Sequence, residues 1–238
     1  MQLSGDLIRF FVAEWRILSF GLIFQFVSSF GRTFYIALFG VEIQVDFDLT
    51  PGEFSYIYSA ATLAAALLIP WLGRLVDDVD IRKYAFLMVF ALAVSAISFA
   101  ATSSLAVLCL ALFGFRVTGG SMMNHASVVT MSRYFVRRRG VATSICALGI
   151  SIGEAVLPIL AVFMMGLIGW RVTWLGSGAF LLLIAAPIVI WLFWSIPLDP
   201  KATVGDDRSY APPEVEAYQA TRRDALSDLK FYALAPTI

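Results

Sequence analysis

Six long apolar segments dominate this sequence and constrain its fold more than any other feature. They lie at about 17–40, 53–72, 84–103, 105–131, 141–165 and 172–196. Each holds the roughly 20 mostly apolar residues that a helix needs to cross the hydrocarbon core of a bilayer. None shows the ten-residue alternation of a membrane β-strand. The sequence therefore predicts an all-α, polytopic membrane protein, built as a six-helix transmembrane bundle.

The composition agrees with a membrane protein. Hydrophobic residues make up 60% of the chain and charged residues only 14%, whereas about a quarter of a soluble domain is charged. The 17 basic and 17 acidic residues cancel, so we expect no nucleic-acid partner. Cys109 and Cys146 fall inside apolar segments. We interpret them as small packed residues and predict neither a disulfide, nor a metal site, nor a cofactor.

The basic residues predict the orientation of the bundle. With the N-terminus in the cytoplasm, 14 of the 17 basic residues fall in cytoplasmic segments, Arg171 lies in an outer loop, and Arg32 and Arg116 lie within spans. Such an asymmetry is the usual signature of the cytoplasmic side. The six tryptophans all fall at or near predicted span ends, as expected for rings that favour the headgroup region. We expect a multi-pass protein of the plasma (inner) membrane, with the N-terminus and the central loop cytoplasmic.

The segments outside the bundle are assigned as follows. Residues 1–16 carry several charges and form a cytoplasmic N-terminal segment, with no cleavable signal peptide expected. Residues 17–196 form the bundle, and residues 197–230 a polar cytoplasmic central loop. Residues 231–238 turn apolar again and are interpreted as the start of a truncated seventh span, with an interfacial tail as the alternative. The chain is then a fragment of a twelve-span protein or a half that pairs with another.

Two motifs carry a resemblance to a known family. The loop at residues 73–83 resembles the pattern Gly-x-Leu-x-Asp-(Arg/Lys)-x-Gly-(Arg/Lys)-(Arg/Lys) between helices 2 and 3 of the major facilitator superfamily. The residues that match this pattern are Gly73, Leu75, Asp77, Arg82 and Lys83. Aspartates replace its first basic residue and its second Gly. In the family this loop is a conformational gate. A carboxylate near a helix N-terminus is also favoured by the helix dipole, whereas an ordinary charged turn is the alternative.

The second motif extends over spans 4 to 6. The segments 133–135 and 137–142, with Gly149, Gly153 and Pro158, resemble the helix 4–5 region of the superfamily, and 169–171 resembles the residues before its helix 6. Arg116 resembles the family's helix-4 Arg, without its usual Gln, and span 5 lacks the antiporter Gly-Pro pair. The nearest branch contains oxalate–formate and monocarboxylate carriers. The resemblance implies the N-terminal six-helix half of the fold, with a 3+3 inverted repeat and a cavity lined by spans 1, 2, 4 and 5.

Four ionisable residues lie within the predicted spans, where charge is costly and usually functional. They are Arg32, Arg116, His125 and Glu154. On span 1, a polar stripe at three- and four-residue spacing ends at Arg32 and contains Gln25, Ser28 and Ser29. Such a stripe either joins two helices or lines a cavity. The arginine favours the cavity, because a guanidinium must reach water or an anion.

Helical geometry separates the two ionisable residues of span 4. Arg116 and His125 are nine residues apart and point about 180° apart in a regular helix. We therefore assign Arg116 to the cavity. His125 is interpreted as a packed, hydrogen-bonding residue, although its usual pKa range also suits a proton site.

Span 5 carries Glu154 on one side and the pair Gly149 and Gly153 on another. The glycines and Pro158 are assigned to helix packing. A buried carboxylate tends to hold a proton because desolvation disfavours its charge, so Glu154 is a candidate proton carrier. A static ion pair with Arg116 or Arg32 is the alternative.

These features favour a secondary active transporter that works by alternating access between two helical bundles, and not an enzyme. Two arginines within the membrane suggest a small organic anion, such as a carboxylate, and coupling to a proton gradient stays open, as symport or antiport. The alternatives are a drug or metabolite efflux carrier of the same superfamily, a six-helix intramembrane protease using Ser177, and a channel. The expected partners are the anionic substrate, the lipid bilayer and a second six-helix half.

Overall fold

Six helices of the computed structural model are long and apolar enough to cross a membrane. The structure describes residues 10–73, 79–135 and 138–194, and within these ranges it contains no β-strand. The predicted six-helix bundle is therefore confirmed. The predicted central loop, the predicted seventh span and Asp77 lie outside the described residues. The spans are Trp15–Ala37, Pro51–Leu72, Ile81–Ala100, Leu105–Tyr134, Arg139–Ile168 and Trp170–Leu192.

Three of the six spans are interrupted within their length. Span 1 changes from α-helix to a 3-10 turn and then to a second short helix, while spans 4 and 6 each contain one π-helical turn. Spans 2, 3 and 5 are single helices with the bounds given above, and a short helix, Gly40–Asp46, follows span 1. The pieces are Trp15–Ser28, Ser29–Gly31 and Thr33–Ala37 in span 1; Leu105–Val117, Thr118–Met122 and Met123–Tyr134 in span 4; and Trp170–Phe180, Leu181–Ala185 and Ala186–Trp194 in span 6.

Local capping residues set where three of the helices begin. Thr50 and Glu53 form a capping box at the start of span 2, where Pro51 occupies the first helical turn. Asp80 accepts a hydrogen bond from the backbone N–H of Arg82 (2.8 Å) and so caps span 3, and Ser104 caps span 4. Asp80 stands at the position where the superfamily loop has Gly, and in this chain it begins the next helix.

Span 1 lies inside the bundle and contacts spans 4, 5 and 6. Its contact with span 5 brings the two backbones together at Gly149 and Gly153. A Cβ atom on Gly149 would lie 2.9 Å from the backbone nitrogen of Phe26, and one on Gly153 would meet the side chain of Ser29. Small residues allow such close approach between membrane helices. Pro158 lies further along the same uninterrupted helix.

An aromatic cluster around Trp174 forms part of the core between spans 3, 4 and 6. The indole ring is fully buried and lies 4.8 to 5.0 Å from the rings of Phe115, Phe99 and Tyr35. The expectation that every tryptophan lies at the headgroups is therefore wrong for Trp174. Trp174 lies near a span end, as the prediction assumed, but aromatic rings from three other spans enclose it.

A polar cluster joins the three loops at one end of the bundle. The Asp46 carboxylate accepts from the Trp170 indole (2.9 Å) and pairs with the Arg171 guanidinium (3.3 Å). Arg171 also donates to the backbone carbonyls of Ala100 (3.1 Å) and Thr102 (2.6 Å). The loops 1–2, 3–4 and 5–6 therefore share one end, as six successive crossings require.

The close approach of spans 1 and 5 predicts that Gly149→Ala destabilises the protein. The added methyl group clashes with the backbone of span 1, which cannot move as a flexible side chain can, so we expect a cost of about 1–3 kcal/mol. The midpoint of thermal unfolding in detergent measures the effect. Gly166→Ala is the matched control, because a Cβ there meets nothing within 4 Å. Equal midpoints for the two variants would contradict this packing.

Candidate functional site

Spans 1 and 4 cross with their backbones in contact at Gly31 and Gly119. A Cβ atom on Gly119 would lie 2.6 Å from the carbonyl oxygen of Ser28 and 2.7 Å from the Cα of Gly31. Both spans are irregular at this crossing, since the 3-10 turn of span 1 and the π turn of span 4 face each other there. Irregular backbone deep within a span occurs in transporters where it lines a cavity.

Span 1 breaks at Arg32. The residue is extended (φ −87°, ψ 155°) and separates the 3-10 turn from the helix Thr33–Ala37. The predicted first span is confirmed as Trp15–Ala37, but the break within it was not predicted, because hydropathy does not report backbone conformation. The guanidinium is half-buried, and its Nε atom has no hydrogen-bond partner within the part of the chain that the structure describes.

The π turn of span 4 changes the angle between Arg116 and His125. It inserts one extra residue into the helical ladder, which reduces their separation around the axis from about 180° to roughly 80°. The prediction of opposite faces assumed a regular helix and is wrong for this reason. His125 is exposed, so its interpretation as a packed, hydrogen-bonding residue is also wrong.

Arg116 is held by residues from two other spans. Its Nη1 atom donates to the Thr33 hydroxyl of span 1 (3.1 Å), which also accepts from the Tyr58 hydroxyl of span 2 (2.8 Å). The guanidinium carbon lies 5.9 Å from the centre of the Tyr58 ring, a distance at which cation–π attraction operates. Arg116 is half-buried and is thus oriented from spans 1 and 2 together.

Glu154 of span 5 completes a charged cluster with the two arginines. The Arg32 guanidinium is attracted by the Glu154 carboxylate and repelled by Arg116, so both groups lie within electrostatic range of Arg32. No direct ion pair joins Glu154 to either arginine in the described structure, which leaves the predicted static pair without support. Glu154 is exposed on the bundle surface. The expectation of a buried carboxylate is therefore wrong, because the packed face of span 5 is the one that carries Gly149 and Gly153.

Gln25 and Ser28 do not lie on an open wall. The Gln25 side chain is only 2% exposed and donates to Asn124 of span 4 (2.8 Å), while Ser28 donates to the Gln25 carbonyl (2.7 Å). Ser29 is equally enclosed. The prediction that Gln25 and Ser28 line a cavity is corrected: both are buried, Gln25 joins spans 1 and 4, and Ser28 bonds Gln25 within span 1.

The site contains three residues that the sequence did not predict: Thr33, Tyr58 and Asn124. Thr33 directly follows Arg32 within the predicted first span, while Tyr58 lies on a span without an intramembrane charge. The polarity of Asn124, which stands next to His125 on span 4, is the sequence signal that could have identified it. No group of three or more potential metal ligands occurs among the described residues.

The predicted gate is described in part. Gly73 ends span 2, where a Cβ atom would lie 3.2 Å from the carbonyl oxygen of Ile69. Arg82 and Lys83 lie in the first turn of span 3, which Asp80 caps. The gating role of Gly73, Asp77, Arg82 and Lys83 stays a prediction.

Comparison with known proteins identifies the family of the chain. The pattern of the Major Facilitator Superfamily matches residues 21–235. Human Monocarboxylate transporter 6 is 25% identical over 147 residues, which cover 62% of this chain and 29% of the human protein. The mouse protein of that name is 37% identical over 57 residues, 24% of this chain and 12% of its own length. The chain thus spans less than a third of these relatives, and the match points to a transporter rather than an enzyme. The chain belongs to the Major Facilitator Superfamily.

Proposed function

We propose that the protein is a secondary active transporter that moves a small organic anion, such as a carboxylate, by alternating access. The observation that carries this proposal is the position of Arg32 and Arg116 at the irregular crossing of spans 1 and 4. Both guanidiniums are half-buried, and Glu154 is the acidic group that interacts with Arg32. The three groups together carry one net positive charge, which favours an anionic ligand.

The chemistry of the two arginines suits a carboxylate. A guanidinium presents paired N–H donors whose geometry matches the two oxygens of a carboxylate. Transporters of related design place their substrate sites at broken helices within the membrane, and the break at Arg32 supplies one here.

The similarity to two proteins named monocarboxylate transporters supports the same substrate class. An efflux carrier for apolar or cationic drugs, the alternative within the superfamily, gains little from two arginines with one neighbouring carboxylate. The protease alternative requires a reactive serine. Ser177 is instead buried, donates to the Thr173 carbonyl (2.9 Å) and contacts the Tyr35 hydroxyl (3.2 Å).

The exposed faces of spans 2 and 5 suggest where the proposed partners lie. Span 2 exposes large apolar side chains along its length, among them Tyr56, Leu63 and Leu67, while span 5 exposes Glu154 on its open side. We propose that lipid and a second six-helix half cover these faces. The second half would close the anion site from the opposite side. The loop with Gly73, Asp77, Arg82 and Lys83 is the proposed gate, on the cytoplasmic side of the plasma (inner) membrane.

Arg32→Ala and Arg116→Ala are each expected to reduce carboxylate uptake by about 30-fold or more, because loss of one partner of a desolvated charge pair costs at least about 2 kcal/mol. The measurement is uptake of radiolabelled pyruvate, oxalate and benzoate by the full protein in liposomes. Arg16→Ala is the matched control, since Arg16 is an exposed cation at the start of span 1 and should leave uptake unchanged. Uptake that survives both substitutions would exclude the anion site.

Proton coupling is assigned to Glu154, the acidic group that interacts electrostatically with Arg32 of span 1. Glu154→Gln should remove the dependence of uptake on an imposed proton gradient, because glutamine cannot carry a proton. His125→Gln should retain it, because His125 forms no hydrogen bond with these groups in the described structure and does not contribute to the electrostatics of Arg32. The opposite result for the two variants would make His125 the proton carrier. A wild-type protein that ignores the gradient would remove proton coupling altogether.

A further inference from the structure

We propose that the Thr33 hydroxyl is a third substrate ligand that donates a hydrogen bond to the transported anion, and that Tyr58 is the positioning residue that fixes its direction. This inference rests on the proposed anion transport and names a specificity-determining group within that site. The observation behind it is the hydrogen-bond pattern at the Thr33 oxygen.

Two donors already occupy the Thr33 hydroxyl oxygen. Arg116 can only donate, and its Nη1 atom lies 3.1 Å from Thr33 Oγ1, while the Tyr58 hydroxyl donates to the same oxygen at 2.8 Å. A hydroxyl has two acceptor lone pairs and one hydrogen. Because both lone pairs are used, the hydroxyl hydrogen of Thr33 must point towards a different acceptor.

The protein offers Thr33 no such acceptor within the described ranges. Five other threonines of the spans and their ends donate to the carbonyl four residues earlier: Thr102, Thr118, Thr130, Thr143 and Thr173. That carbonyl is the ordinary partner of a helical threonine. Thr33 lacks it because the chain is extended at Arg32 and the helix begins only at Thr33.

The hydroxyl hydrogen is therefore free to bind a ligand. Thr33 is exposed and lies between Arg32, its neighbour in sequence, and Arg116, its hydrogen-bond partner. Because this hydroxyl can only donate to a ligand, it favours a ligand with an oxygen acceptor and disfavours an N–H or ammonium group. The three side chains together select a carboxylate over an amine or an amide of the same size.

Uptake of radiolabelled pyruvate by the full protein in liposomes tests this role. Thr33→Val keeps the shape of the side chain and removes the hydroxyl, and we expect it to raise KM about tenfold, the usual effect of losing a hydrogen bond to a charged ligand. Thr33→Ser keeps the hydroxyl and should stay within about threefold of the wild-type KM. Thr143→Val is the matched control, because that hydroxyl has its own backbone acceptors, and KM should not change.

Tyr58→Phe distinguishes a positioning role from a structural one. The phenyl ring still lies beneath Arg116, but Thr33 Oγ1 loses one donor and its hydroxyl can rotate, so we expect KM to rise about threefold. In a Thr33→Val background the same substitution should add nothing, because Tyr58 acts only through the Thr33 hydroxyl. Independent, multiplying effects of the two substitutions would overturn the positioning role.

The outcomes separate this inference from the proposed function. Wild-type uptake of pyruvate with a Thr33→Val KM within about twofold of wild type overturns the Thr33 ligand and leaves anion transport standing. Thr33→Ser as impaired as Thr33→Val has the same consequence. A wild-type protein that takes up none of pyruvate, oxalate and benzoate contradicts the proposed function itself.

Discussion

The contact between the backbones of Gly31 and Gly119 is the constraint on which the rest of the site depends. Neither residue can carry a side chain without meeting the other helix. Spans 1 and 4 therefore cross closely enough for their backbone irregularities to face each other. The break at Arg32 and the π turn at Thr118–Met122 lie at this crossing, where Arg116 donates to Thr33, the residue after Arg32.

Close packing around span 1 holds this crossing in place. Gly149 and Gly153 also bring span 5 against span 1, and the Gln25–Asn124 hydrogen bond joins span 1 to span 4. Apolar attraction contributes little between helices in lipid, so close contacts and buried hydrogen bonds carry the association. Polar residues that precede the break in span 1 thus hold the helices together, whereas Arg32 and Thr33 remain available to a ligand.

The fold was predictable from the sequence to a large extent, whereas the site was predictable only in part. Hydropathy located all six spans, because each is a continuous apolar stretch with few charges. The same averaging hid the break at Arg32 and the π turn of span 4, which lie where Gly31 and Gly119, far apart in sequence, come into contact. The helix face predicted for His125 was therefore wrong, because it assumed a regular helix. The roles of Thr33 and Tyr58 depend on neighbours from other spans, which the sequence does not show. Arg32, Arg116 and Glu154 stood out for the energetic cost of charge in a membrane, which needs no structure to recognise.

A structure of the full protein, determined in lipid with a transported carboxylate bound, tests the central claim most directly. The account predicts carboxylate density between the guanidiniums of Arg32 and Arg116, with oxygen atoms about 3 Å from both. It would be contradicted by guanidiniums that face lipid, or by a carboxylate bound elsewhere while Arg32 and Arg116 remain sealed in a solid core.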